Sequence, residues 1–488
     1  MAERGAHPAE IAAFRRRLSQ LSDGGSALLP ASELEPLDDL PTLEGLPDPD
    51  EDAAREVLDR LAVIKVNGGL GTSMGLDGPK SMLEVKPGHS FLDILALQTR
   101  AIRRRFSARL PLVLMNSGST RDPSLAALEP YDLGVGDLPP DFLQGFEPKL
   151  RADDHEPVSW PDAPELEWCP SGHGDLFTAL TASGMRDRLL DAGVRWCFVS
   201  NADNLGAEPD PRLAAWIADA GVPFCMEVVR GTAMDRKGGH LARRGGRIVL
   251  RESAQVPSDD DSFGDVEHWR YYNTNNLWFD LETLRDLQAD DAAAPDLPLI
   301  VNAKTVDPTN RSSTPVVQLE TAMGAAISSI AGARAVVVPR TRFAPVKTTD
   351  DLLITRSDRY TLSDAGTMQP LTETPPRVTL DPEHFKHVRD FEARFPAGAP
   401  SLRDAESLEV SGDVTFGADV VVQGSVRIEG PRHVADFEAR FPAGAPSLRD
   451  ADSLEVSGDV TFGAGVVVSG SVRVQGPRHV ADGEVLRG

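Results

Sequence analysis

The amino-acid sequence predicts an α/β protein with a mostly parallel or mixed sheet, followed by a β-helical tail. From residue 61 onward, short apolar runs alternate with stretches of helical spacing, and polar, glycine-rich motifs directly follow several of those runs. A duplicated segment with a six-residue rhythm predicts the tail. We therefore divide the chain into an N-terminal segment (1–55), an α/β domain (56–380) and a β-helix domain (381–488).

Composition narrows the class of protein. The chain has 488 residues, of which 41% are hydrophobic, and a formal net charge of -25. Such a negative chain repels phosphate backbones and anionic lipid surfaces, so we expect neither nucleic acid nor a membrane as partner. The widely spaced Cys169, Cys197 and Cys225 are expected to be buried, reduced thiols. With charges throughout residues 1–18, no secretory leader is predicted, and we expect a cytoplasmic protein.

Lysine is rare in this chain, which uses arginine for most of its positive charge. It supplies only 8 of the 50 basic residues. A lysine ammonium is a compact point charge, unlike the planar guanidinium, so some of these lysines are candidates for phosphate contacts. The alternative is chance survival under codon bias. The eight lysines are Lys65, Lys80, Lys86, Lys149, Lys237, Lys304, Lys347 and Lys386.

The N-terminal segment is predicted to be peripheral, with an amphipathic helix over 11–21 and a proline- and acid-rich linker over 36–52. Beyond it, short apolar runs predict strands. Those runs are 61–67, 110–116, 196–201, 222–229, 246–250, 276–279 and 333–339. Helical spacing separates several of them. The predicted helices include 91–106, 281–287 and 317–330.

The tail contains two nearly identical copies of one sequence, 391–436 and 437–482. Apolar residues recur every six positions in each copy, which is typical of β-helix coils. The recurring sets include Val414, Val420 and Val426 in the first copy, and Val460, Val466 and Val472 in the second. If the second copy stacks on the first, its set joins one continuous core. A coil with an open end can also stack on another chain, so the tail is a candidate surface for self-association.

The strongest motif is the glycine-rich stretch NGGLGTSMG (67–75), which is followed by Lys80. Glycines let the backbone approach a nucleotide closely and point N–H groups at phosphates, while Lys80 can neutralise phosphate charge. The spacing is neither that of a Walker loop nor that of GxGxxG. A plain structural turn is the alternative.

Other polar motifs also follow predicted strands. Asp203 in SNADN can hold Mg²⁺ against a triphosphate, or simply cap the strand. His173 lies between two glycines in GHGD, where a solvated loop histidine is the usual interpretation. The amides of NTNN (273–276) suit sugar hydroxyls, although turns also use asparagine heavily. Lys347 lies in a loop after a strand.

Together these stretches resemble the eukaryotic-type UTP–glucose-1-phosphate uridylyltransferases, or UDP-glucose pyrophosphorylases. The resemblance runs in order over roughly residues 60–428. The matching stretches are VNGGLGTSMGLDGPKS, PLVLMNS, GHGD, FVSNADNLGA, KGGHL, ESAQVP, NTNNLW, IVNAKT, QLETAMGAAI, RFAPVKTTDDLL and VSGDVTFG. It implies a Rossmann-like nucleotidyltransferase core with a mixed sheet and a C-terminal left-handed β-helix.

The resemblance also implies roles for individual residues. Lys80 and Lys347 are expected to be catalytic, with Mg²⁺ as cofactor on Asp203. The residues expected at UTP are Val66, Asn67, Gly68, Gly69, Lys80, Gln144 (reading uracil), Gly172 and Asp203. Those expected at glucose 1-phosphate are His173, Asn201, Gly239, Glu252, Asn275 and Glu320. Val66 departs from the family's usual leucine, and the second tail copy is unusual for the family.

The implied reaction is attack of glucose 1-phosphate on the α-phosphorus of UTP, with release of pyrophosphate. Three alternatives stay open. A related pyrophosphorylase would accept galactose or N-acetylglucosamine phosphates, and comparing rates across sugar phosphates would distinguish it. A catalytically dead scaffold would oligomerise through its tail, but the presence of Lys80, Asp203 and Lys347 argues against it. An acyltransferase β-helix is weak, since the repeat histidines lie outside the six-residue pattern.

Overall fold

The structure is a computed structural model, and it describes residues 1–24, 28–372, 374–434, 447–457, 460–475 and 478–488. The described residues form two compact units. Unit 1 comprises Met1–Thr72, Leu76–Val346 and Leu362–Gln369. Unit 2 comprises Ser73–Gly75, Lys347–Thr361 and Pro370–Gly488. The expected N-terminal segment is therefore part of unit 1, and the chain passes into unit 2 at Lys347.

Unit 1 contains most of the helices and strands. Its α-helices are α1 (Pro8–Ser22), α2 (Glu51–Asp59), α3 (Phe91–Phe106), α4 (Arg121–Leu128), α5 (Leu176–Ala182), α6 (Met185–Asp191), α7 (Pro211–Asp219), α8 (Val266–Trp269) and α9 (Leu281–Asp290). Its strands are β1 (Leu61–Asn67), β2 (Glu84–Lys86), β3 (His89–Ser90), β4 (Leu112–Asn116), β5 (Asp141–Leu143), β6 (Phe146–Pro148), β7 (Leu150–Arg151), β8 (Trp168–Pro170), β9 (Trp196–Asn201), β10 (Phe224–Arg230), β11 (His240–Arg244), β12 (Arg247–Arg251), β13 (Tyr271–Asp280), β14 (Leu299–Thr305), β15 (Pro315–Thr321) and β16 (Arg334–Val337).

A mixed sheet forms the centre of unit 1, as the sequence predicts. Among the described residues it has nine strands in the order β12-β11-β13-β9-β1-β4-β5, with β10 paired to β13 and β16. The parallel pairs are β1 with β4, β1 with β9, β4 with β5 and β10 with β16. The antiparallel pairs are β9 with β13, β10 with β13, β11 with β12 and β11 with β13.

Both faces of the central strands of this sheet are buried, which explains why these strands are mostly apolar in the sequence. Along β1, Ala62 and Ile64 belong to one hydrophobic cluster, whereas Leu61 and Val63 belong to another. Successive side chains of a strand point to opposite faces, so the two clusters cover the two sides. A mostly apolar stretch of this length is the expected signature of a strand with no solvent-exposed face.

The predicted helix over 91–106 is confirmed by α3, but the predicted helix over 317–330 is wrong. Its first five residues belong to β15, which pairs antiparallel with β14, and a 3-10 helix follows at Met323–Ser328. The period-two alternation of apolar and polar residues from Val317 to Thr321 is a strand pattern. The apolar, small-residue run behind it makes the whole stretch look helical.

The segment that precedes α2 packs into the core and is not peripheral. Leu37 belongs to the cluster on one side of the central sheet, and Leu43 and Leu46 belong to the cluster on the other. Between them, the N–H of Val337 in β16 donates to the carbonyl of Pro41. Leucines at every third position from 34 to 46 are the sequence signal for this packing, and the surrounding prolines and acids obscure it.

Unit 2 contains the tail. Its helices are α10 (Thr349–Arg356), α11 (Pro382–Phe385) and α12 (Val388–Arg394). Its strands are β19 (Arg377–Leu380), β20 (Ser401–Ser411), β21 (Val414–Phe416), β22 (Val421–Glu429), β23 (Arg432–Val434), β24 (Ser447–Ser457), β25 (Val460–Phe462), β26 (Val467–Gln475), β27 (Arg478–Val480) and β28 (Val485–Arg487). Two further short strands, β17 (Tyr360–Leu362) and β18 (Met368–Pro370), lie where the chain passes from one unit to the other.

The two tail copies build equivalent parallel sheets. In the first copy Leu408 pairs with Val426, and in the second Leu454 pairs with Val472, so each residue lies beside the one three hexads further along the chain. Val460, Val466 and Val472 are buried in a core built from the second copy. Among the described strands, those of the second copy pair only with one another, and residues 435–446, where the copies join, lie outside the described residues.

Two further expectations concern the whole chain. All three cysteines are buried and free, as predicted. Among the described residues, no helix combines the length and the apolar character that crossing a membrane requires.

Candidate active site

The site is built where three neighbouring parallel strands of unit 1 end. Strand β1 lies between β4 and β9, and at their carboxyl ends Asn67 pairs with Asn116 while Val66 pairs with Asn201. The glycine-rich stretch leaves β1 at this edge, and the loop that carries Asp203 leaves β9. Because parallel strands present their carboxyl ends together, the topology brings these two loops side by side, as ligand sites in α/β sheets require.

Lys80 and Asp203 form an ion pair at this edge. Lys80 Nζ donates to Asp203 Oδ2 at 2.6 Å, and each side chain is 17% exposed. The backbone fixes both residues, since Lys80 N–H donates to the carbonyl of Gly69 and the N–H of Val346 donates to that of Asp203. Two residues that the sequence places at UTP, 123 positions apart, are thus in direct contact.

The second carboxylate oxygen of Asp203 suits a cation. Oδ1 is buried and has no hydrogen-bond partner among the described residues. An unsatisfied buried carboxylate oxygen is costly unless a ligand completes it, and hard cations such as Mg²⁺ prefer oxygen ligands. No cluster of three or more His, Cys, Asp or Glu side chains able to hold a metal is found in the described part of the chain. A magnesium ion here would therefore take its other ligands from phosphate oxygens and water.

Val66 and Asn67, at the end of β1, connect this strand to the neighbouring elements. The carbonyl of Val66 accepts from Ala202 N–H at 3.1 Å, which ties β1 to the loop of Asp203. The side chain of Asn67 is buried and donates to Asn116 Oδ1 and Ser124 Oγ, both at 2.8 Å. Its amide therefore holds neighbouring elements together below the loop. Two residues further along, a Cβ added to Gly69 would meet no atom within 4 Å, which leaves room for a ligand.

Gln144 lies directly against the glycine-rich stretch. Its N–H donates to the carbonyl of Asn116 at 2.8 Å, which fixes its backbone beside β4. A Cβ added to Gly68 would lie 2.5 Å from Gln144 Nε2, so glycine is needed at position 68 for the amide to reach this place. The structure thus brings the expected base-reading residue onto the expected UTP loop.

We expect Gly68→Ala to weaken UTP binding. The added methyl would displace the Gln144 amide, which is flexible and moves at little cost to stability. Losing the amide's hydrogen bonds to a base should raise KM for UTP about tenfold, the equivalent of roughly 1.4 kcal/mol. Steady-state kinetics with varied UTP measures this. Gly118→Ala is the matched control, because nothing lies within 4 Å of its added Cβ. An unchanged KM in Gly68→Ala would show that the Gln144 amide is not a base contact.

Asp175 and Arg17 support the segment that follows Gln144 and were not among the predicted site residues. Gly145 N–H donates to the buried carboxylate of Asp175 at 2.6 Å. Arg17, in α1, donates to the fully buried Glu147 at 2.6 Å. Burial raises the pKa of Asp175 to about 6 and that of Glu147 to about 7. Asp175 lies within the GHGD motif and was available from sequence, whereas nothing in the sequence pairs Arg17 with Glu147.

His173 is held as a neutral imidazole. Its Nδ1 accepts from Met323 N–H at 3.2 Å, and burial lowers the pKa of His173 to about 4. A ring whose Nδ1 is an acceptor carries its proton on Nε2, so His173 can donate one hydrogen bond from Nε2 at neutral pH. Gly172, at φ 80°, lies next to it, and a Cβ there would meet the side chain of Glu320 at 3.1 Å. Close packing therefore joins His173, Gly172 and Glu320.

The expected sugar residues of the β11–β13 region also lie together. A Cβ on Gly239 would lie 2.6 Å from the carboxylate of Glu252, and the carbonyl of Gly239 accepts from Asn273 N–H. Asn275 adopts φ 58°, a left-handed conformation that is uncommon for a residue other than glycine. Asn273 stabilises it through its side chain, which accepts from Asn275 N–H and donates to Asn275 Oδ1. Strain of this kind persists where the surroundings impose it, often at ligand sites.

Comparison with known proteins decides the family. A model of the UTP–glucose-1-phosphate uridylyltransferase family matches residues 13–423. The chain belongs to this family.

Individual members of the uridylyltransferase family are similar over most of their length. The enzyme from Hordeum vulgare is 42% identical over 387 residues, which cover 78% of this chain and 80% of that protein. The Saccharomyces cerevisiae enzyme is 38% identical, with 78% of each covered. A Trypanosoma brucei UDP-glucose phosphorylase structure has a TM-score of 0.81 at 38% identity, covering 100% of this chain and 98% of that one.

A Leishmania major UDP-glucose pyrophosphorylase has been solved in open and closed structures. It has a TM-score of 0.83 at 37% identity and covers 99% of this chain and 97% of that one. A mutant of the same protein, solved in complex with UDP-glucose, has a TM-score of 0.82 at 38% identity, covering 89% of this chain and 97% of that one. The likeness to these uridylyltransferases thus extends to the fold of the whole chain.

Lys347, the remaining predicted catalytic residue of this uridylyltransferase, opens unit 2. Its N–H donates to Asp351 Oδ2 at 2.8 Å, as does that of Thr348 at 2.9 Å, and Asp351 thereby shapes the turn that starts α10. The preceding residue, Val346, is hydrogen-bonded to the backbone of Asp203 within unit 1.

Lys65, another of the rare lysines, is buried in β1 and donates to Ser200 Oγ and to the carbonyl of Ala207. Burial lowers the pKa of Lys65 to about 7.

Proposed function

We propose that this chain makes UDP-glucose and pyrophosphate from UTP and glucose 1-phosphate, with Mg²⁺ held on Asp203. The observation that carries the proposal is the Lys80–Asp203 pair at the carboxyl edge of the sheet, with one buried carboxylate oxygen left unsatisfied. A bound Mg²⁺ would supply charge neutralisation for the triphosphate. The family membership supports the choice of substrates.

The chain's own residues then orient the two substrates and neutralise the charge of the phosphates. A phosphate oxygen of glucose 1-phosphate attacks the α-phosphorus of UTP in line, the bond from that phosphorus to the bridging oxygen of the β-phosphate breaks, and pyrophosphate leaves. The attack brings an anion toward an anionic centre, so catalysis depends on orientation and on positive charge at the phosphates. Lys80 and Lys347 supply that charge, and His173 donates a neutral hydrogen bond from Nε2 toward the sugar phosphate. No covalent enzyme intermediate is needed.

Base choice follows from Gln144. A carboxamide donates and accepts at once, which suits the imide edge of uracil, where N3–H donates and the neighbouring carbonyl accepts. The sugar is contacted by the groups around Gly239, Glu252 and Asn275, whose close packing leaves little freedom.

The decisive assay is pyrophosphate release with UTP and glucose 1-phosphate, with and without Mg²⁺. We expect turnover with UTP to exceed that with ATP or GTP by at least about a hundredfold, because a site built to hydrogen-bond a substrate group rejects analogues lacking it. Gln144→Ala should lose most of kcat/KM with UTP while its residual rate with ATP stays unchanged. Equal turnover of the wild-type protein with ATP would refute the assignment. Faster turnover with galactose 1-phosphate would point to a broader sugar specificity.

We also propose that the tail is a left-handed β-helix and a site of self-association. Support comes from the parallel pairing of residues three hexads apart in both copies, as expected of three-sided coils. The cytoplasm is the compartment that fits three free, buried cysteines.

A further inference from the structure

Glu227, in the middle of β10, is a carboxylate fully enclosed in unit 1. Its Oε1 accepts from Trp278 Nε1 at 3.0 Å and from Arg342 Nη2 at 2.6 Å. Its Oε2 accepts from Asn276 Nδ2 at 3.0 Å and from Arg342 Nε at 2.9 Å. Burying an ion pair costs desolvation that an apolar pair of the same volume avoids, so stability alone explains it poorly. A fully satisfied buried network does, however, specify one local geometry.

What this ion pair holds in place is the backbone of residue 342. The carbonyl of Arg342 accepts from Asn276 Nδ2 at 3.2 Å and from Asn204 Nδ2 at 3.0 Å. Asn204 also donates to Asn276 Oδ1 at 3.1 Å, so these two side chains and the carbonyl of Arg342 form a closed network. Asn204 directly follows Asp203, so the network includes the neighbour of that carboxylate residue.

Further contacts join the loop 203–206 to the segment 341–346. Asn204 Oδ1 accepts from Ala344 N–H at 3.0 Å, and the carbonyl of Asp203 accepts from Val346 N–H at 3.2 Å. At the far end, Gly206 packs on Thr341 so closely that a methyl group there would overlap the carbonyl oxygen. Hydrogen bonds and close packing therefore tie the loop 203–206 to the segment 341–346.

We infer that the Glu227–Arg342 ion pair positions the groups of the phosphate site. It sets the separation between loop 203–206 and segment 341–346, and so fixes the carboxylate of Asp203 and the point from which the chain enters Lys347. Glu227 is a positioning residue, because all four of its hydrogen bonds go to protein groups. The inference rests on the proposed function for its kinetic consequence, but the coupling of the two segments can be measured without any substrate.

The test is Glu227→Gln, measured by kinetics and by hydrogen exchange. The amide keeps the side chain's shape but turns one pair of its contacts into donor facing donor. Well below the unfolding temperature, we expect kcat to fall at least tenfold with KM for glucose 1-phosphate within threefold. Amide exchange should accelerate in both loop 203–206 and segment 341–346 of the ligand-free protein.

Glu147→Gln is the matched control. It breaks another buried Arg–Glu pair, in which a single contact of 2.6 Å joins Arg17 Nη2 to Glu147 Oε2, and this carboxylate is as fully enclosed as that of Glu227. Its Tm should fall, but exchange in the two segments should stay at the wild-type rate. If Glu227→Gln lowers Tm in the same way while kcat and both exchange rates are unchanged, the pair is only structural and the inference is wrong.

Gly206→Ala keeps the inference testable if Glu227→Gln does not fold. Its methyl would force the backbone of Thr341 and Arg342 away and separate the two segments, while both charged groups of the ion pair are kept. The same loss of kcat and the same faster exchange are expected, and a near-normal kcat overturns the inference. If the wild-type protein releases no pyrophosphate from UTP, the proposed function fails, whereas the exchange measurements still decide whether Glu227 couples the segments.

Discussion

Replacing Asp203 by asparagine should reduce turnover by about 10²- to 10³-fold, the usual cost of removing one preorganised charge contact. In the wild-type protein Oδ2 accepts from Lys80 while the buried Oδ1 has no partner among the described residues. An asparagine keeps the shape but removes the negative charge, and one of its two orientations faces an amide NH₂ toward the Lys80 ammonium. Pyrophosphate release across a range of Mg²⁺ concentrations measures both the rate and its dependence on the metal.

Binding gives a readout that does not depend on turnover. A ligand that binds only the folded state raises its apparent stability by an amount that grows with the logarithm of affinity, so UTP with Mg²⁺ should raise the Tm of the wild-type protein more than UTP alone. In Asp203→Asn the two increments should be equal. Asp48→Asn is the control, because its side chain is 87% exposed, and it should behave as wild type. An Asp203→Asn enzyme with normal, Mg²⁺-dependent kcat would exclude this carboxylate as the metal ligand.

Several elements of the fold could be predicted because their signals are local. Strand β1 and strand β9 have the bounds that their apolar runs predict, since a strand buried on both faces is mostly apolar. Helix α3 begins after Ser90, which forms a capping box with Asp93, and its apolar spacing is regular. The strand-end rule for α/β proteins then places the motifs of Asn67 and Asp203 at one edge.

Other features depend on contacts that no local pattern encodes. Arg17 and Glu147 are 130 positions apart, and His173 and Met323 are 150 apart. Strand β15 is predicted as helix because its short alternating run leads into small apolar residues that suit a helix equally well. A single charged residue inside an apolar run does indicate that a buried partner exists, although not which residue it is. Lys65 in β1 and Glu227 in β10 are two such residues.

The two predicted catalytic lysines should each be worth about 10²-fold in kcat, again the cost of one preorganised charge contact. Lys80→Ala removes the partner of Asp203 Oδ2 as well as a phosphate contact, so its half-saturating Mg²⁺ concentration should also change. Lys347→Ala should lower kcat and leave that concentration unchanged, because the Lys347 contact given by the structure is a backbone bond to Asp351. The Mg²⁺ titration therefore separates the two residues even if their rates are equally low.

Arginine substitutions test why the chain keeps lysine at these positions when it uses arginine for most of its positive charge. A guanidinium is planar and forked and cannot reproduce the compact ammonium that donates to Asp203 at 2.6 Å, so Lys80→Arg should recover only part of the lost rate. Lys386→Ala, which removes an exposed lysine of unit 2, is the matched control and should retain full activity. Near-normal kcat in Lys347→Ala would remove that residue from the mechanism, and full rescue by Lys80→Arg would mean that positive charge alone suffices there. If both lysines instead behave as predicted, lysine is kept at these positions for its chemistry, because arginine, the abundant basic residue of this chain, cannot replace it there.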